Sequence, residues 1–149
     1  MGSEAYFYFV EYDPDIDGAL QRLREREFRA GRYNPVMPFP IECMPADDSS
    51  PAPGCQHRSI EEALEDSGTE GTRSILDIMQ ISDKPDFCTA TPVAEGQLQS
   101  LYGTTKPTRE QIEGFEFLEE VGRGQGVYLT WYTPDGEPEG ICFAGMSFD

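Results

Sequence analysis

The chain is poor in basic residues. Lysine and arginine together number 11 among 149 residues, against 28 aspartates and glutamates, which gives a formal net charge of −17 at pH 7. A chain this negative repels phosphate backbones and anionic lipid surfaces. The composition therefore argues against a nucleic-acid-binding protein and against one that docks on a membrane. The same charge attracts cations, so a basic protein is the partner class that it favours.

The sequence also lacks any run of the roughly 20 apolar residues that a membrane-spanning helix needs. Near the N-terminus, Glu4 stands where a signal peptide is basic, and Glu11 and Asp13 interrupt the apolar residues between them. We therefore expect a cytoplasmic protein. In that reducing compartment the cysteines are expected to be free thiols. They are Cys43, Cys55, Cys88 and Cys142.

Disorder is not expected despite the charge, because 38% of the residues are hydrophobic and 11% aromatic. The length is typical of one domain, and no internal repeat divides the chain. We predict a single domain over residues 1–149 with a long loop at about 32–58, which holds six prolines. A loop of this length inside a compact domain is commonly functional.

Local patterns predict the elements on either side of this loop. Aromatic and β-branched residues over 6–12 predict a strand with both faces covered, which we place at the centre of a sheet. Asp13 and Pro14 predict the start of a helix that ends before Gly31. Beyond the loop, the patterns predict the following segments: a helix capped by Ser59 and running to about Asp66, a helix over 72–79 capped by Thr72, a strand over 86–90, a helix from Thr91-Pro92 to Gly103, a helix capped by Thr108, and strands over 127–133 and 140–148.

The last two strands flank Pro134-Asp135-Gly136, a strong hairpin signal because proline presets the turn and glycine accepts positive φ. The helices are grouped between strands that mostly require antiparallel pairing. We therefore predict an α+β fold with a single, mainly antiparallel sheet, made of the N-terminal strand plus the C-terminal hairpin, and with several helices packed on one side.

Residues 13–18 read Asp-Pro-Asp-Ile-Asp-Gly and match the first half of a calcium-binding loop. The second half does not match, since Arg24 stands where the bidentate glutamate should be. Helix-start chemistry explains the same residues and is the favoured interpretation. A calcium-binding regulatory module at 13–18 remains an alternative, with Asp13, Asp15 and Asp17 as weak metal candidates. No other cofactor is expected.

The single histidine, His57, lies two residues after Cys55 in the long loop. With Cys43 and a further thiol these residues could form a zinc site, but the spacing of known zinc motifs is missing. Cys55 and His57 are also weak candidates for a catalytic nucleophile and base. A small enzyme with its site near this loop is therefore an alternative, and a polar exposed loop is the favoured interpretation.

Acidic side chains predict a partner-facing surface, and aromatic residues of the C-terminal hairpin would anchor it where they are exposed. We expect an acidic protein-interaction module of the kind represented by immunity and antitoxin proteins, small inhibitors that bind a basic protein. This is an analogy of class, since no family motif is present. The expectation favours a protein that is not an enzyme. The predicted binding residues are Asp47, Asp48, Glu61, Glu62, Glu65, Trp131 and Tyr132.

Overall fold

A computed structural model describes residues 3–37 and 49–148. The strands are β1 (Ala5–Glu11), β2 (Gln80–Ile81), β3 (Thr89–Pro92), β4 (Gly126–Tyr132) and β5 (Pro138–Met146). The helices are α1 (Ile16–Ala30), α2 (Ile60–Ser67), α3 (Glu95–Tyr102) and α4 (Arg109–Ile112), with 3₁₀ turns at Gly68–Glu70, Ile75–Asp77 and Glu116–Leu118. The strands form one sheet in the order β1-β5-β4-β3-β2.

The sheet is mixed, so the prediction of a mainly antiparallel sheet is wrong. Strands β1, β5 and β4 pair antiparallel, whereas β4, β3 and β2 pair parallel. The cause is the stretch between β3 and β4, where two helices and a 3₁₀ turn carry the chain back, so that both strands run in the same direction. The predicted helix start at Thr91-Pro92 is also wrong, because both residues belong to β3 and Thr91 pairs with Val127.

Helices cover both faces of the sheet, which corrects the expectation of helices on one side. The first core joins Tyr6 and Tyr8 of β1 to Leu20 of α1, Ala63 of α2 and Ile75. The second core lies on the other face, because neighbouring residues of a strand point to opposite sides. It comprises Val93, Leu98, Ile112, Phe117, Leu129, Trp131, Cys142 and Ala144, with Phe7 and Phe9 packed against them.

Strand β1 lies at the edge of the sheet and not at its centre. Its residues do alternate between the two cores as predicted, with Tyr6 and Tyr8 on one face and Phe7 and Phe9 on the other. Both faces are thus covered although only β5 pairs with the strand. Coverage of the faces comes from the helices, and it carries no information about the number of neighbouring strands.

Capping side chains set several helix ends. Asp15, and not Asp13, caps α1 and accepts a hydrogen bond from the Gly18 N–H at 3.0 Å. At the other end Gly31 takes the predicted left-handed conformation, with φ of 76°. Ser59 caps α2 as predicted, and Thr108 caps α4 in a reciprocal capping box.

The predicted helix over 72–79 is reduced to the 3₁₀ turn at Ile75–Asp77, which Ser74 caps. Thr72 does not cap a helix, because its hydroxyl donates to the buried carboxylate of Asp77 at 2.8 Å. The C-terminal hairpin is confirmed, with β4 and β5 antiparallel and Gly136 at φ of 84° in the turn. Of the helices in the described ranges, none combines the length and the apolar character needed to cross a membrane.

Candidate functional site

The aspartates of the calcium-like pattern serve three separate purposes. Asp13 binds Arg22 at 2.6 Å and accepts from the Asp15 N–H at 2.8 Å. Asp15 caps α1, and Asp17 accepts from the Gln21 amide at 3.5 Å. These contacts are helix-start chemistry and ion pairing. Across residues 3–37 and 49–148, no three histidine, cysteine, aspartate or glutamate side chains are grouped so that they could hold a metal ion.

His57 is held between two side chains. Its Nδ1 lies 2.7 Å from the Tyr33 hydroxyl, and its Nε2 lies 2.8 Å from Asp66 Oδ2. Burial raises the pKa of Tyr33, so the hydroxyl stays protonated at neutral pH. We therefore assign the O–H of Tyr33 as the donor to Nδ1, and the N–H of Nε2 as the donor to the Asp66 carboxylate.

This chain of hydrogen bonds fastens the end of the long loop to the body of the protein. Tyr33 is fully buried, and its oxygen also accepts from the Gln56 N–H at 3.4 Å. The N–H groups of Gly54 and Cys55 donate to the last carbonyls of α1, at 2.8 and 3.1 Å. Residues 54–57 are thus docked on α1 through their backbone and through one aromatic ring.

The contacts of His57 argue against its role as a base for the Cys55 thiol. Its side chain is exposed, and within the described part of the chain no hydrogen bond joins it to His57. Both nitrogens of His57 already have partners, so neither is available to take a proton from a thiol. Cys43, the third predicted zinc candidate, lies outside the described residues. The zinc and nucleophile interpretations stay predictions.

The predicted binding residues do not form one surface. Asp47 and Asp48 lie outside the described residues. Glu61 and Glu65 are exposed on α2, which packs on the first core through Ala63, and Glu62 pairs with Arg58 at 3.1 Å. The aromatic members Trp131 and Tyr132 come from β4, and Trp131 packs in the second core. The sheet therefore separates α2 from Trp131.

Trp131 is a core residue rather than an exposed anchor. Only 5% of it is accessible, its Nε1–H donates to Glu139 at 2.9 Å, and Phe9 packs against it edge to face. The Arg109 guanidinium lies 4.1 Å from the Phe9 ring centroid and 5.5 Å from that of Trp131. Tyr132 is half-buried beside Lys106. These rings are used for packing and for cation–π contacts.

Most arginines of the chain are paired with carboxylates, a feature that sequence reasoning missed. Seven of the nine arginines lie within 3.9 Å of a carboxylate. Arg24 is buried and donates to the Leu76 carbonyl at 3.0 Å and to Gln21 at 2.9 Å. The paired arginines are Arg22, Arg26, Arg29, Arg32, Arg58, Arg73 and Arg109.

The unpaired carboxylates are dense on α4 and the turn that follows it. Five exposed glutamates lie there, and we call them the glutamate surface. Among these residues only Glu113 makes an ion pair, with Arg109 at 3.2 Å. Four of them recur at every third position from residue 110 to residue 119, which was the available sequence signal. The glutamate surface consists of Glu110, Glu113, Glu116, Glu119 and Glu120.

A cleft of about 300 Å³ adjoins the glutamate surface, between β3, β4, the start of α3 and the 3₁₀ turn at Glu116–Leu118. We call it the Asp83–Glu120 cleft, after its two charged lining residues. Its apolar lining includes Val93, Phe117 and Val127 of the second core. A larger cavity of about 570 Å³ lies between β1 and α1, with charges of both signs in its lining.

One buried carboxylate lies away from both cavities. Asp77 is 2% accessible, and its Oδ1 accepts from the Thr72 N–H at 2.9 Å and from the Thr72 hydroxyl. Its Oδ2 has no partner within the described chain. Burial raises the pKa of Asp77, which the Thr72 hydrogen bonds and the charge of Arg24 partly offset. This group organises the 3₁₀ turn that packs on α1.

No protein-family model matches the chain, and neither the curated proteins nor the solved structures include a match. The class of function is therefore inferred from the charges, the ion pairs and the two cavities described above.

Proposed function

We propose that this chain is an acidic protein-interaction module that binds a basic protein partner in the cytoplasm. The observation that carries the proposal is the asymmetry of the charges. Seven arginines are paired with carboxylates, whereas the glutamate surface presents four carboxylates that pair with no described residue. Unpaired exposed charge steers a partner of opposite sign and orients it during encounter.

The glutamate surface is the proposed contact region. Arg109 is the one basic residue over 109–120, and it is engaged by Glu113 and by the Phe9 and Trp131 rings. A basic partner would therefore meet these carboxylates with one cation of the chain among them, Arg109, which already has partners. Helix α2 is a weaker candidate, because Arg58 and Arg73 neutralise two of its nearby glutamates.

Binding rather than catalysis is proposed because the hydroxyls found in contact with a base among the described residues, those of Tyr33 and Thr72, are buried and line neither of the two cavities. Inhibition of a basic enzyme, in the manner of immunity and antitoxin proteins, is the role that a compact acidic binder suits best. The cytoplasmic location is supported by the free thiols at Cys55, Cys88 and Cys142.

The test compares two variants that remove equal charge from the two faces of the sheet. The immobilised chain is exposed at low ionic strength to a lysate of the source organism, and retained proteins are then purified and recombined with it. The first variant carries Glu116→Gln, Glu119→Gln and Glu120→Gln, and the second carries Glu61→Gln, Glu62→Gln and Glu65→Gln.

We expect a basic protein that forms a stoichiometric complex with the wild-type chain. Its affinity should fall about tenfold or more in the first variant, a loss of about 1.4 kcal/mol, and less in the second. Retention of no basic protein would refute the proposed function. Equal weakening by both variants would show attraction by net charge alone, and would refute a specific surface.

A further inference from the structure

We propose that the Asp83–Glu120 cleft receives an arginine side chain of the basic partner. The inference rests on the proposed function and deepens it, since it names the group that would anchor the partner. Glu120 belongs both to the cleft lining and to the glutamate surface, so the two features form one continuous region.

The charges of the cleft have one sign. Asp83 and Glu120 are exposed, and neither carboxylate makes a hydrogen bond or ion pair with any described residue. No lysine, arginine or histidine is among the described lining residues. A cation entering the cleft would thus meet two carboxylates and no repelling charge.

The lining of the cleft also includes a polar group without a hydrogen-bond partner in the described chain. Thr91 of β3 is 7% accessible and lines the cleft, and its hydroxyl has no hydrogen-bond partner among the residues described. Thr91 pairs with Val127 across the strands, so both side chains point to the face of the second core. The hydroxyl is thus free to accept a hydrogen bond from a donor group that enters the cleft.

The walls suit a long side chain with a charged head. Val93, Phe117 and Val127 provide apolar contacts for a hydrocarbon stem, and Asp83 and Glu120 provide carboxylates for a charged head. Gln97 and Gln125 add amide oxygens as further acceptors. Guanidinium carries five N–H donors in a planar fork, whereas the lysine head has three at one point, so several separate acceptors favour arginine.

The size of the cleft supports a single side chain. A volume of about 300 Å³ is at the lower end of the range of small-molecule pockets, about 300–1,000 Å³. The cleft therefore fits one anchoring residue better than a whole cofactor. Anchors of this type, with arginine prominent among them, supply much of the binding energy in protein interfaces.

The test uses Nα-acetyl-arginine methylamide as the probe, titrated into the ¹⁵N-labelled chain and followed by NMR. We expect saturable shifts at the amides of Thr91, Gly126 and Val127. The neutral citrulline analogue, which keeps the shape of the probe, should shift these amides little. The Asp83→Asn, Glu120→Gln variant should bind the arginine probe about tenfold more weakly or worse.

A matched control removes two charges far from the cleft, by Asp135→Asn and Glu137→Gln in the turn of the hairpin. It should bind the probe as the wild type does. Shifts spread evenly over acidic surfaces, or equal losses in the two variants, would overturn the inference. Preserved spectra away from the cleft would show that each variant is folded.

The two proposals fail separately. If the glutamate-surface variant loses the basic partner but the arginine probe leaves the cleft amides unchanged, the arginine anchor is wrong and the proposed function stands. If no basic protein is retained by the wild-type chain, the proposed function is refuted whatever the titration shows.

Discussion

Replacing Glu27 by glutamine tests how the chain holds its long loop. Glu27 is fully buried in α1, and it accepts from Arg32 Nε at 2.9 Å and Arg32 Nη2 at 2.7 Å. Arg26 Nε donates to the same carboxylate at 3.0 Å. Arg32 is buried as well, and it also donates to the Ser50 carbonyl at 3.3 Å. The ion pair therefore joins α1 to Arg32 at the start of the loop and, through Arg32, to Ser50 within it.

The size of the expected loss in stability follows from the hydrogen bonds that a glutamine at position 27 cannot accept. The side chain keeps one oxygen, but its NH₂ group would face N–H donors of Arg32 and Arg26, and a buried guanidinium would lose its counter-charge. Breaking a buried ion pair on one side costs about 3–5 kcal/mol. This is a large part of the 5–15 kcal/mol that stabilises a typical domain.

Urea unfolding followed by circular dichroism measures the loss. The matched control is Glu25→Gln, which removes the same charge from the exposed pair with Arg29, at 2.9 Å. That pair is worth about 0.3–0.5 kcal/mol, so the control should unfold close to the wild type. A loss below about 1 kcal/mol for Glu27→Gln, or equal losses in both variants, would refute the structural role given to the buried pair.

Three further predictions concern stability. Burial raises the pKa of Asp77 above its ordinary value of 3.8, so the contribution of this group to stability is present below pH 3.8 and is lost as the pH rises through the raised pKa. The Tm of Asp77→Asn should therefore rise relative to that of the wild type as the pH increases from 3.8, and a difference in Tm that does not change with pH would contradict this. Gly31→Ala should lower the free energy of unfolding in urea by about 2 kcal/mol or more, because φ is 76° and the new Cβ would collide with the Gly54 carbonyl. The control Gly103→Ala has a similar φ of 72° but open space around the Cβ, so it should lower that free energy by about 1 kcal/mol. Equal losses in the two variants would mean that Gly54 does not pack closely against Gly31. Tyr33→Phe should cost about 1–2 kcal/mol and speed amide exchange at Gln56, which loses its acceptor, and unchanged exchange would argue against the His57 linkage.

Elements whose signals are local could be predicted from the sequence. Gly31, Ser59 and Thr108 end or start helices because a left-handed residue or a side-chain cap acts within one turn. The hairpin around Gly136 could also be predicted, because the turn and the two strands that it joins are adjacent in the chain.

Elements that depend on distant pairing could not be predicted. Thr91-Pro92 resembles a helix start, but Thr91 pairs with Val127, far along the chain, and becomes part of β3. β2 has two residues, too few for any periodic signal, and exists through its pairing with β3. The apolar residues on both faces of β1 indicated burial, but helices packed over a strand produce the same pattern at the edge of a sheet as at its centre. The edge position of β1 could therefore not be read from the sequence.

The candidate site was only partly visible in the sequence. The net charge could be counted from the sequence. The ion pairs of the arginines, such as that of Arg32 with Glu27, could not, because they depend on how the side chains are placed in the fold. The aromatic anchor predicted at Trp131 is packed in the second core, because alternation along β4 does not reveal that helices cover that face. The Asp83–Glu120 cleft joins residues from distant segments and had no local signal.

The association rate of the proposed basic partner, measured by stopped flow over a range of ionic strength, tests whether the glutamate surface recruits it. We expect the association rate to fall steeply as salt is added. The rate should also be lower in the variant lacking charge at Glu116, Glu119 and Glu120 than in the variant neutralised on α2. A rate that is independent of salt, or equal in the two variants, would contradict recruitment of the partner by the glutamate surface.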